Sequence, residues 1–388
     1  MNPLESSGKP LFFKALSAAD LQAPTNRNGV AIRTAARSLS VMQKEALIST
    51  SLGSDLWRVS SDEGAYLDGD DVSPCPLAHM TTGMVASFME TTQVLARQRG
   101  IELPRLRLIQ DNFYTMKGSA LRGTMTGGAL PVVLTAEIDS ASDRAVVESL
   151  LRDAVDSAPV YGLISNVLNS QFTLTHNGRE VEPAKVSRIN NSAVPLAASL
   201  FDSAQPESGD WSGLMRRNGM SPTTDEITSS SGSSYAEEQS RRLHLRGICT
   251  VRADGIKLIE QQLFNPHGSI FHLMSDEGAG SGGEGRAPDA MSYVSAGIAF
   301  CFLTQFGRYA KIVKKPLAEY AVVQDMHFSK LIPGVSATAD PVETHVHLES
   351  DQDDDFARQA LDMSEQTCFL HALCRTQSSV EINVVQSD

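Results

Sequence analysis

Two cysteines sit where a thiol could do chemistry. Cys301 lies in the apolar run Ala296-Gly297-Ile298-Ala299-Phe300-Cys301-Phe302-Leu303. By composition alone, a cysteine among such neighbours is a small hydrophobe. Cys368 closes the polar run Ser364-Glu365-Gln366-Thr367, which could end one helix and begin another. A cysteine at a helix N-terminus faces free backbone N–H groups and the positive end of the dipole, both of which favour thiolate. His371, one turn further on, could help such a thiol lose its proton; a solvent-facing histidine is the alternative. Cys374 is six residues past Cys368, a spacing that does not share a helix face, so it reads as core or bystander. Cys249 reads as strand packing, and Cys75, between Pro74 and Pro76, as structural. His345 and His347 would share one face of a strand and could hold a metal, but a third ligand is missing. The glycine-rich stretch from Gly278 to Gly283 lacks the Lys-Ser/Thr that follows in a phosphate loop, so it reads as a mobile loop.

The elements that must position these residues come in the same order twice. Opening strands are expected at Val30–Ser38 and Leu243–Arg252, second strands at Glu45–Ser54 and Ile256–Leu263, and third strands at Leu56–Ser60 and Ile270–Met274. Each loop that follows ends in a proline, Pro74 or Pro288, which suits the first turn of a helix. The stretches His79–Arg99 and Met291–Val313 are apolar nearly all round, so they should be buried central helices. Strands at Arg105–Met116 and Tyr320–Lys330, then Val132–Ile138 and Glu343–Leu348, lead to helices at Asp143–Val155 and Asp354–Ser364. Last strands are expected at Gln171–Thr175 and Val380–Val385. This is an α+β pattern.

The repetition extends to identities. At an offset of 214, Ser61-Asp62-Glu63-Gly64 recurs as Ser275-Asp276-Glu277-Gly278, Gly83 as Gly297, and Gln110-Asp111 as Gln324-Asp325. After a slip to an offset of 210, Pro131-Val132 maps to Pro341-Val342. We read a diverged tandem duplication, with units at 1–200 and 241–388 and a Ser-, Gly- and acid-rich, partly mobile linker at 201–240. The period is far too long for a solenoid.

Composition narrows the function classes. The chain has 388 residues, of which 41% are hydrophobic and 20% charged, so wholesale disorder is excluded. A net charge of −13 argues against a nucleic-acid or anionic-membrane partner. No uninterrupted apolar run reaches the roughly 20 residues of a bilayer span. The polar N-terminus lacks a signal-peptide pattern, and five cysteines are too few for a disulfide scaffold, so a reducing cytoplasm is expected.

Taken together, the Ala296-Gly297 step before Cys301, the second cysteine 368 − 301 = 67 residues later and the duplicated order of elements resemble the OsmC/Ohr family of organic hydroperoxide reductases. The resemblance covers most of both halves and not the linker. It implies two OsmC-like domains, each an antiparallel sheet with a long central buried helix, forming an intrachain pseudo-dimer for which a monomer would suffice. It implies that Cys301 is the peroxidatic thiol and Cys368 the resolving one. Apolar walls such as Phe300, Phe302, Leu303, Leu370 and Leu373 would suit an organic peroxide. A dithiol such as dihydrolipoamide would be the reductant, with no metal or nucleotide cofactor. The family also uses an Arg on an early strand held by a carboxylate near the start of the central helix. Arg252 is the first match, with Arg246 as rival, and Asp289 is the carboxylate, with Glu284 and Glu277 as rivals. In the first half, Ser87 and Ala158 occupy the cysteine positions, so that half should be inactive, although Arg37 or Arg33 could line the live site. A thiol enzyme acting on another sulfur or electrophilic substrate, or a non-catalytic binding protein, are the competing functions.

Overall fold

The computed structural model of the chain describes residues 2–16, 21–223, 238–278 and 281–387. The first half runs α1 (Pro3–Ser6), β1 (Phe13–Ala15), β2 (Gly29–Ser38), β3 (Lys44–Thr50), β4 (Leu56–Ser61), α2 (Pro76–Arg99), β5 (Arg107–Gly118), β6 (Thr126–Ala129), β7 (Val132–Asp139), α3 (Arg144–Ser157), β8 (Gln171–His176), β9 (Arg179–Val181) and β10 (Ser187–Arg188). Then come α4 (Leu200–Ser203) and β11 (Met215–Met220). The second half runs β12 (Gln239–Val251), β13 (Lys257–Asn265), β14 (Ser269–Ser275), α5 (Ala290–Ile312), β15 (Glu319–Ser329), β16 (Glu343–Glu349), α6 (Asp354–Thr367), α7 (Phe369–Cys374) and β17 (Val380–Ser387). The mixed α and β composition agrees with the α+β expectation.

The halves do not make separate sheets. One sheet has the order β1-β4-β3-β2-β15-β16-β8-β10, and the other β11-β14-β13-β12-β5-β7-β17. Each takes its first hairpins from one half, its next two strands from the other, and then a parallel closing strand, β8 on β16 or β17 on β7. The boundaries at 1–200 and 241–388 therefore follow the repeat in the sequence and not a division of the sheets. The expected linker, 201–240, contains α4 and β11, and β11 pairs antiparallel with β14. Residues 224–237 of that segment lie outside the described residues.

The joints between halves are marked by charge. Where β5 meets β12, Arg246 lies opposite Asp111 and donates two hydrogen bonds to its carboxylate, both at 2.9 Å. Where β2 meets β15, Arg33 does the same to Asp325 at 2.7 and 2.6 Å. The repeated Gln-Asp dipeptide thus supplies the acceptor of a forked ion pair at each joint.

Helix α2 packs on β12, β13 and β5, α5 packs on β2, β3 and β15, and the two helices pack on each other. They cross at the repeated glycines. A Cβ at Gly83 would stand 2.5 Å from the Ala290 carbonyl, and one at Gly297 2.8 Å from the Met80 nitrogen, so only glycine lets the backbones approach this closely. Helix α5 overturns one expectation from sequence. Over Ala290–Ile312 it is long and apolar enough to cross a membrane by length and composition, and from Ala290 to Ala310 it is buried between α2 and the sheet.

Candidate thiol site

Cys301 lies midway along α5, and Cys368 at the corner between α6 and α7, where it ends one helix and caps the next in extended conformation. The corner folds back onto α5, because α7 packs on α5. The two thiols act directly on each other, and the backbone N–H groups of Phe369 and Leu370, the first two residues of α7, favour negative charge on the Cys301 sulfur. Both cysteines are reduced and buried.

Burial, joined by the hydrogen bond with Cys368, pushes the Cys301 thiol well above its ordinary value. Burial acts the same way at Cys368. There it is outweighed by the Cys301 hydrogen bond and by His371, so that thiol is pulled well below its ordinary value. Of the two sulfurs, Cys368 is therefore the one on which negative charge is favoured. His371 acts on that thiol through its charge and through its backbone N–H, while neither of its buried ring nitrogens makes a hydrogen bond of ordinary geometry.

A small cavity of about 30 Å³ opens beside Cys301 and not beside Cys368. Its polar lining comes from Glu63, Tyr66, Arg241, Arg308, Thr304 and Gln305, and its other walls include Cys75 and Phe369. Arg308 follows Cys301 by seven residues, two helical turns, so both project from one face of α5. Arg241 enters from the start of β12, and Glu63 and Tyr66 from the loop after β4, in the other half of the chain. The Tyr66 hydroxyl donates to Glu63 at 2.7 Å. Burial raises the Glu63 carboxyl to about 7, against the pull of Lys44. Burial lowers Lys44 to about 8, while the charges of Glu63, Asp62 and Cys301 resist that fall. Lys44, Arg308 and Arg241 thus all act on the Glu63 carboxylate, and Lys44 also on Cys301.

The partners expected from sequence are elsewhere. Arg252 is at the far end of β12, about eleven residues or 35 Å of strand from Arg241; it is half-exposed and pairs with Asp254 at 2.9 Å. Asp289 caps the start of α5, accepting from the Ser292 N–H at 2.9 Å. Twelve residues of helix, about 18 Å, separate it from Cys301. Arg246 is committed to Asp111, Glu284 is exposed beside Arg286, and Glu277 holds Lys257 at 3.4 Å. Arg33 is committed to Asp325, and Arg37 to Glu45 and Asp202. The first half does line the cavity, but through Glu63, Tyr66 and Cys75. Phe300, Phe302, Leu303, Leu370 and Leu373 are core residues that do not line it; Phe369, Leu77 and Leu243 do.

The other singled-out residues are accounted for by packing. Burial raises Cys249 and Cys374 to about 12, and Cys75, although it borders the cavity, also to about 12. His345 hydrogen-bonds the Thr173 hydroxyl at 2.9 Å, and His347 the Val194 carbonyl at 3.0 Å. Residues 279 and 280 of the glycine-rich loop lie outside the described residues.

Comparison with known proteins adds one structural likeness. No family model matches the chain, and no curated protein matches it. Among solved structures, the chain is similar to an OsmC-like hydroperoxide resistance protein from Jannaschia sp. CCS1, at 21% identity over 32% of this chain and 79% of that one, with a TM-score of 0.20. A likeness at that score carries no weight for the fold or the chemistry of this chain.

Proposed function

We propose that this chain reduces organic hydroperoxides through Cys301 and Cys368, re-reduced by an external dithiol. The supporting observation is a coupled pair of reduced thiols of which Cys301 lines a cavity that carries two arginines.

The proton balance follows from the geometry. Cys301 passes its proton to Cys368, and the new thiolate is held by the Phe369 and Leu370 N–H groups and by the charge of Lys44. The Cys301 sulfur attacks the distal peroxide oxygen, and the O–O bond breaks. Cys301 becomes a sulfenic acid, and the alkoxide leaves toward Arg308 and Arg241 and takes up a proton as alcohol. Cationic donors in a dry site are worth most where charge develops, at the leaving oxygen. The Cys368 thiol then attacks the sulfenic sulfur, forming the Cys301–Cys368 disulfide and releasing water. A dithiol restores both thiols by exchange. In this reading the chain is a single-chain pseudo-dimer of two OsmC-like units, one of them lacking the cysteine pair, working in a reducing compartment such as the cytoplasm. The repeated strand order supports it.

The test is peroxide consumption with dihydrolipoamide as reductant. Cys301→Ser should abolish turnover, whereas Cys368→Ser should allow one oxidation and then stall. Wild-type turnover no faster than Cys301→Ser refutes the proposal.

A further inference from the structure

The half that lacks the cysteine pair keeps its own version of the site, and that version is open. A cavity of about 380 Å³, against about 30 Å³ beside Cys301, is lined by Ser87, Glu90, Thr91, Val94, Pro159 and Glu277, among others. At the repeat offset of 214, Ser87 answers to Cys301, Val94 to Arg308 and Glu277 to Glu63; at 210, Pro159 answers to Phe369. Exchanging an arginine for valine and a phenylalanine for proline removes the side chains that fill the first cavity. That accounts for the difference in volume, and pockets of this size are within the range that holds small ligands.

The polar groups of this cavity are incompletely used. Ser87 is 3% exposed, borders the cavity, and its hydroxyl has no hydrogen-bond partner. Glu90 and Glu277 both reach the buried Lys257 ammonium, at 2.7 and 3.4 Å. Asp289 stands behind the wall as the cap of α5, and Lys330 borders the cavity as an exposed side chain. Two carboxyl groups thus share one buried ammonium. Burial holds the Glu277 carboxyl up at about 7 against the pull of Lys257, with the charges of Asp289 and Glu90 adding to the rise. The rest of the lining is apolar, with Val30, Leu52, Met291 and Leu331 alongside Val94 and Pro159.

We infer that this second cavity binds a small organic ammonium ion, its charged head between Glu277, Glu90 and the Ser87 hydroxyl and its hydrocarbon body against Val94, Pro159 and Met291. The site is separate from the thiol chemistry, and its occupancy requires neither cysteine.

The experiment is calorimetric titration of the reduced full chain at pH 7.5 with 2-phenylethylammonium, beside its neutral and anionic counterparts 2-phenylethanol and 3-phenylpropionate. Saturable binding of the ammonium, at least tenfold tighter than the alcohol and with no binding of the carboxylate, is expected. Ser87→Met, which removes the hydroxyl and occupies the cavity, and Glu277→Gln, which leaves Lys257 paired with Glu90, should each weaken binding at least tenfold. Both should retain the wild-type circular dichroism and rate of peroxide consumption. Equal affinity for the alcohol, no saturable binding, or full affinity in Ser87→Met overturns the inference. If a variant misfolds, the three-probe comparison on the wild type decides alone. Cys301→Ser should bind the ammonium as the wild type does, so failure of the peroxidase reading and failure of this one are separable.

Discussion

Arg308→Met removes a buried cation from the face of α5 that carries Cys301 while keeping most of the side-chain volume. Two helical turns place the two residues about 10 Å apart along the axis. At an effective dielectric constant of about 20, a unit charge at that distance contributes roughly 1.7 kcal/mol, somewhat more because the guanidinium can reach toward the cavity. That is about 1.2 pKa units at the thiol pair, or a factor near 20 in a rate that depends on charge at the reacting atoms. The loss of one partner is absorbed at Glu63, which keeps Lys44 and whose carboxyl already lies at about 7. The assay is stopped-flow oxidation by cumene hydroperoxide under pseudo-first-order conditions, paired with thiolate absorbance at 240 nm against pH. The second-order constant should fall about 10- to 30-fold, the thiol titration should move to higher pH, and Arg308→Lys should recover most of both. A variant that folds, keeps its thiol titration and reacts within twofold of wild type would refute the placement of Arg308 as the charge facing the reaction.

Other consequences are tested by stability. Glu63 and Glu277 are both raised by burial to about 7 from an ordinary value of 4.5, so the folded chain holds more protons than the unfolded one between those values. Stability should therefore fall as pH rises from about 4.5 to 7, and a melting temperature flat over that window contradicts the burial of both. Asp111→Ala removes the acceptor of Arg246 and His244 and should cost about 1–3 kcal/mol in denaturant unfolding. Burial works against the Asp111 carboxylate, but these hydrogen bonds hold its pKa below the ordinary 3.8, so its contribution is present above that value and lost as pH falls through the folded one. Gly297→Ala drives a Cβ to 2.8 Å from the Met80 nitrogen and should cost about 1–3 kcal/mol or more, whereas Gly178→Ala, at φ +73 with open space around it, should cost only backbone strain.

Much of this molecule is legible in its residues. The apolar helix, the cysteine within it and the second cysteine at a helix start follow from local composition, and the structure brings those two together. The strands fall within a few residues of where alternation and turn residues place them, because those signals are local. The site's charged residues were hidden for a different reason. Strand β12 pairs with β5 and β2 with β15, so the carboxylate at the Cys301 cavity comes from the first half, and no local pattern carries such an exchange. The signal was present in the repeated Ser-Asp-Glu-Gly: its second copy, with Glu277, was weighed as a partner for Cys301, while Glu63 in the first copy is the one that lines the cavity. Arg308 was overlooked inside a helix read as uniformly apolar, although seven residues from Cys301 is a same-face spacing. Arg252 and Asp289 fit the family's early-strand arginine and the carboxylate near the start of the central helix, but strand and helix geometry carry both away from the thiols.

The central claim, a redox pair made of Cys301 and Cys368, is tested most directly by titrating the reduced protein with cumene hydroperoxide and mapping disulfides in peptides kept unreduced. A Cys301–Cys368 link after about one equivalent, with Cys75, Cys249 and Cys374 still free and no link in Cys301→Ser, is the predicted result. Thiols that stay free through many equivalents, or a link that omits Cys301, would contradict it.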